Sequence, residues 1–124
     1  MVEADFAGLD RPDATTVSWV FEGRTISKKF VQPPRSAVFV DDPPSVVIVE
    51  PMNETMVVSN AVVYDLDGRE RLRLDPPAID RPIGFDQVFM SRAGLVAVFA
   101  TRSGDFHGVP DLSTGILRDV REWR

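Results

Sequence analysis

Hydrophobic positions in this chain fall in short blocks, mostly with a period of two. In Thr15–Phe21, the side chains of Val17, Trp19 and Phe21 share one face. After a turn at Glu22–Gly23, Arg24–Val31 returns with Ile26 and Phe30 inward, giving a first hairpin that Pro33–Pro34 ends. Ser36–Val40 is a short apolar strand, followed by a turn or loop at 41–44. In Ser45–Glu50 the run Val46–Val49 is apolar at every position, which suits a strand covered on both faces and therefore central. Pro51–Glu54 turns the chain again, and Met56–Asp65 with Arg69–Asp75 forms a second hairpin. Asp75–Pro82 is too rich in proline for a central strand and reads as an extended surface loop. Phe85–Ser91 and Leu95–Thr101 pair around Arg92–Gly94, with later turns at Ser103–Gly104 and Ser113–Gly115. Ile116–Trp123 fits a final strand or a short terminal helix equally well.

Nothing sustains a helical period, and ten prolines and eight glycines would interrupt any long helix. The pattern predicts an all-β fold, an antiparallel sandwich or small barrel of about eight to ten short strands joined by hairpins. Residues 1–14 read as a flexible N-terminal tail and 15–124 as a single β domain. At this length a compact fold hides roughly two-thirds of the surface of the unfolded chain, so one core is enough.

The second hairpin invites a closer reading. Asp67–Gly68 between two strand-like runs signals a two-residue turn with positive φ at both central positions. That turn pairs Tyr64 with Arg71, Val63 with Leu72, Val62 with Arg73 and Ala61 with Leu74. One face then carries Ala61, Val63, Leu72 and Leu74, and the other carries Asn60, Val62, Tyr64, Arg71 and Arg73. A calcium loop fails here: with Gly68 at the sixth position, Val63 and Leu74 occupy the first and twelfth, where oxygen ligands are required. Arg69, Arg71 and Arg73 read first as a solvated sheet face. Together with Tyr64 they are also the candidate protein-facing surface, an aromatic–guanidinium set of the kind enriched at hot spots.

Composition narrows the chemistry. There is no cysteine, which removes disulfides, thiol nucleophiles and cysteine-held metals and suits a reducing, cytoplasmic setting. The longest apolar runs are far short of the ~20 residues of a membrane span, and the acidic start at 1–13 lacks the form of a signal peptide. A formal net charge of −5, from 19 acidic and 14 basic residues, argues against broad nucleic-acid binding and suits a basic partner. His107 is the only histidine, and Asp105 and Asp111 lie near it. These three form the alternative site, as a catalytic or two-carboxylate, one-imidazole metal set. No nucleophile elbow or glycine-rich phosphate loop accompanies them, and His107 reads first as a loop or edge residue. Trp19, Phe21 and Phe89 are the candidate lining of a ligand cleft.

Two segments, 62–74 and 110–120, resemble the strand–turn–strand pieces of β-propeller repeats. Asp111, Leu112, Thr114 and Gly115 match a D-L-x-T-G blade turn, and Asp67–Gly68 matches a blade hairpin. A full propeller needs at least four four-stranded blades, and this chain has strands for about two. The acidic, cysteine-free β character is also similar to small bacterial immunity proteins. The expectation is a non-catalytic interaction protein, immunity-like or an assembly factor. It binds a protein partner through a sheet face or edge, and a homodimer is one form of this. No cofactor, metal, nucleic acid or membrane is expected. The alternatives are a small-ligand binding module and a hydrolase or metal enzyme around His107.

Overall fold

The computed structural model describes residues 2–3, 15–51, 58–79 and 81–123. Among them there is no helix, and hence none long and apolar enough to cross a membrane. Within these described residues, eleven strands form three antiparallel sheets. The first sheet has the order β1-β2-β3, from Val2–Glu3, Thr16–Phe21 and Arg24–Lys29. The second is a meander of β4 Ser36–Asp41, β5 Pro44–Val49, β6 Ala61–Tyr64 and β7 Glu70–Arg73. The third is another meander, β8 Pro82–Ser91, β9 Gly94–Thr101, β10 Gly104–Pro110 and β11 Leu117–Glu122. The expected all-β architecture of short antiparallel strands is thus the one observed, in sandwich form, and the undecided 116–123 segment is a strand.

Two cores show that the second sheet is the middle layer. Its residues alternate between them as strand geometry requires. Val40, Val47, Val49, Ala61 and Val63 pack with Phe85, Val88, Leu95, Ala97 and Phe99 of the third sheet. Ala37, Phe39, Val46, Ile48, Val62 and Tyr64 pack with Val17, Trp19, Phe21, Ile26 and Phe30 of the first. Val46–Val49 is therefore apolar throughout because each side faces a different core, as expected for a central strand. Each fully buried Val, Ile or Phe contributes roughly 1.5–3 kcal/mol.

Polar side chains tie the layers together. Asn60, fully buried, donates from Nδ2 to the carbonyls of Glu50 (2.8 Å) and Phe85 (2.9 Å), and its Oδ1 accepts from Phe85 N–H (2.6 Å). Its carboxamide thereby satisfies both main-chain groups of Phe85 on the edge strand β8 and joins the second sheet to the third. Ser36 Oγ accepts from Val88 N–H (2.9 Å), and Arg35 forms an ion pair with Asp86, where β4 and β8 approach each other. On the other side, Trp19 Nε1 donates to Leu66 C=O (2.8 Å).

The hairpin at 61–73 departs from the expected turn. The pairs Val62–Arg73 and Val63–Leu72 hold, but a bulge places Tyr64 opposite Glu70. Gly68 N–H donates to Asp65 C=O (2.9 Å) and Asp65 N–H to Arg69 C=O (2.8 Å), so the loop has three residues, Leu66–Asp67–Gly68. The longer loop lets Leu66 turn into the core between the first and middle sheets and offer its carbonyl to Trp19, whereas a two-residue turn would have placed Leu66 across from Arg69. Gly68 has φ +94°, and a Cβ there would lie 2.7 Å from Ile26 Cγ2. Of residues 1–14, only Val2–Glu3 is described, paired with β2. The expected tail otherwise lies outside the described residues, as does most of the expected turn at 51–54.

Candidate functional site

The hairpin candidates belong to the interior of the stack and its seams. Tyr64 is 7% exposed, its ring 6.3 Å from that of Trp19, with Lys28 Nζ 4.7 Å from its centroid. Burial, with the carboxylates of Glu50 and Glu70 adding to it against Arg73, pushes its phenol from 10.0 up to about 12. Arg71 donates to Asp65 (2.8 Å) and Ser45 Oγ (2.7 Å), linking the hairpin to β5. Arg73 donates to Glu50 (2.8 Å) and Ser59 C=O (3.1 Å), and lies 3.6 Å from Glu70. Burial works against the Arg73 charge, but the Glu50 hydrogen bond and the two carboxylates outweigh it and hold the guanidinium protonated. Arg69 is exposed. Of the face expected to be solvated, Val62 and Tyr64 are covered by the first sheet, while Asn60 bonds to Phe85 of the third and Arg71 also reaches Leu112 C=O (3.4 Å) in the loop after β10, because two layers, not one, pack on the middle sheet.

The second candidate set divides. Asp105 and His107 lie on the same face of β10, but β10 runs between β9 and β11, so His107 occupies neither a loop nor an edge. Its ring packs edge-on to Trp123 with centroids 5.2 Å apart, and its Nδ1 is buried with no hydrogen-bond partner among the described residues. Asp111 starts the loop after β10, its Oδ1 accepting from Ser113 N–H (2.8 Å), and it lines a cleft that His107 does not reach. No group of three or more His, Asp or Glu residues placed to hold a metal occurs among the described residues. Trp19, Phe21 and Phe89 do not share a cleft either: the first two pack under the first sheet, and Phe89 is on the third.

What the structure does assemble is the outer face of the third sheet. Leu95, Ala97 and Phe99 of β9 point to the middle sheet, which leaves Val96, Val98 and Ala100 on the opposite side. Register puts Phe89 beside Val96, and Gln87 and His107 on either side of Val98, with Arg121 next to His107. Trp123 continues the β11 pairing by donating its N–H to Asp105 C=O (2.8 Å) and lays its ring between Phe89 (5.8 Å) and His107. Val98 beneath these rings is 0% exposed, while Trp123 itself is 37% exposed. The outer face of the first sheet is different: Thr16, Ser18 and Val20 stand against Lys29, Ser27 and Thr25.

A signal for this face was present in the chain. Leu95–Ala100 is as continuously apolar as Val46–Val49, but only its pairing with Phe85–Ser91 stood out, and the aromatic residues that converge on it come from three separate strands. Compared with protein-family models, curated proteins and solved structures, the chain matches none.

Proposed function

We propose that this chain is a non-catalytic interaction protein that docks a second copy of itself through the outer face of the third sheet. The observation that carries the reading is β9. A strand apolar on both sides suits cover on both sides, and among the described residues a sheet covers only one. Phe89, His107 and Trp123 close over Val98 and leave Trp123, 37% exposed, at an apolar centre flanked by Asp105 and Arg121.

Those flanking charges favour a second copy as the occupant. A two-fold contact presents the same patch from both sides, so Asp105 of one copy can meet Arg121 of the other. The area suits a weak, reversible dimer. Four strands about 4.8 Å apart and six to ten residues long span roughly 15 by 25 Å, and two such faces bury on the order of 750 Å², the size of a transient contact. Of the roles expected for an interaction protein, an assembly factor fits such a self-docking face, and the absence of cysteine suits a reducing cytoplasm.

Sedimentation equilibrium from micromolar to millimolar concentration tests the reading. The unaltered chain dimerises, Val96→Lys stays monomeric and folded, and Ser27→Lys on the first sheet dimerises like the unaltered chain. A monomer throughout, or equal loss in both variants, would refute it.

A further inference from the structure

A concave surface lies at one end of the stack, separate from the outer face just described. The β4–β5 turn, the β8–β9 turn and the loop after β10 enclose a cleft of about 490 Å³, a volume within the usual range for small-molecule sites. Its floor is apolar and already ordered: Leu95 and Leu112 are buried members of the core between the middle and third sheets. Met90, at its mouth, is 48% exposed and adds apolar surface to the cleft.

The charges around this apolar surface are unbalanced. Asp41, Asp42 and Asp111 line it against a single cation, Arg118, which leaves two net negative charges at neutral pH. None of the four forms an ion pair among the described residues. An organic anion would be repelled. A neutral apolar molecule would reduce the hydration of the carboxylates without compensation. A hydrated inorganic cation would make no use of the apolar floor.

We propose that this cleft binds a small hydrophobic organic cation, its apolar body on Leu95, Leu112 and Met90 and its ammonium among the carboxylates of Asp41, Asp42 and Asp111. The carboxylates select the charge, and the cleft supplies the burial.

Three probes with one skeleton test this on the intact chain: 2-phenylethylammonium, 2-phenylethanol and phenylacetate, titrated against the ¹⁵N-labelled protein by NMR. The amine binds saturably, with shifts centred on 41–43, 90–95 and 109–113. It binds about tenfold tighter than the alcohol, the effect of two partly screened surface charges, and phenylacetate does not saturate. Joint Asp41→Asn and Asp42→Asn replacement, at exposed turn positions, removes most of that tenfold preference and its salt dependence. Val96→Lys leaves amine binding unchanged, so failure of the docking reading would not disturb this one. Equal affinity for alcohol and amine, shifts centred elsewhere, or no saturable binding of the amine would overturn the proposal.

Discussion

Asn60→Ala should be among the most damaging single changes in this molecule, although it deletes no hydrophobic surface. The side chain is fully buried and makes three hydrogen bonds, two to the main chain of Phe85 and one to the carbonyl of Glu50. Alanine removes all three partners at once and is too small to let the sheets close up. A buried polar group left without a partner costs about 1–3 kcal/mol. The two Phe85 groups are buried, and the Glu50 carbonyl is only partly so and regains some solvent. The expected loss is therefore about 3–5 kcal/mol, a large share of the ~5–15 kcal/mol that stabilises an ordinary domain. Urea titration followed by circular dichroism would show it directly, as would a fall of about 10–20 °C in Tm for a chain of this size. Asn60→Asp keeps the size but places carboxylate oxygens against two carbonyls, and should cost at least as much. A loss below ~1 kcal/mol in Asn60→Ala would refute the reasoning, because the seam between the two sheets would then not depend on this amide.

Other consequences are equally direct. Tyr64 is the only tyrosine, so ultraviolet titration reads it alone: about 12 in the folded chain and 10.0 when unfolded. Since the folded value is the higher, the associated stability is complete below about pH 10, is lost as pH rises through about 12, and amounts to on the order of 2 kcal/mol. A pH dependence between 10 and 12 that persists undiminished in Tyr64→Phe would contradict this assignment. Gly68→Ala and Gly115→Ala should each lower stability by about 2 kcal/mol or more in chemical denaturation. Both positions have positive φ, and the added carbons would lie 2.7 Å from Ile26 Cγ2 and 2.8 Å from Arg73 C=O. Gly23→Ala, with positive φ but open space around it, should cost only about 1 kcal/mol. Arg73→Ala should cost about 1–2 kcal/mol through the stranded Glu50 carboxylate and leave dimerisation unchanged in sedimentation; a lost dimer would return the docking surface to the hairpin.

Much of the fold was legible because its rules are local. Alternation placed Val17, Trp19 and Phe21 together, the unbroken Val46–Val49 run marked a central strand, and Asp-Gly located the hairpin. The failures concern contacts between layers. Arg71 and Arg73 alternate with leucine as a solvated face would, and only the packing of a further sheet brings Tyr64 under Trp19 and Lys28. The turn length was set by Leu66, whose burial and bond to Trp19 come from a partner 47 positions away. His107 was hard to place because its strand lies between two others and is interrupted by a bulge before Val109. The outer-face cluster was obscured for the same reason: Phe89, Val96, His107 and Trp123 are neighbours only after three turns have been made.

The two end faces also separate the possible modes of assembly. A polar Ser and Thr ladder ends the stack at the first sheet, whereas aromatic and aliphatic side chains end it at the third. Like-to-like contact at the third sheet buries apolar surface against apolar surface. Head-to-tail contact would set Phe89 and Trp123 against Ser18 and Ser27, hydroxyl groups that would lose water without gaining partners.

A chain without cysteine allows this to be measured by site-directed crosslinking, with single cysteines at Gln87 on the third sheet and at Ser27 on the first. Oxidation of purified protein should join Gln87→Cys to itself in high yield and leave Ser27→Cys uncrosslinked, alone or mixed with the other variant. A product only between the two variants, or none at position 87, would contradict the two-fold docking on which the functional account stands.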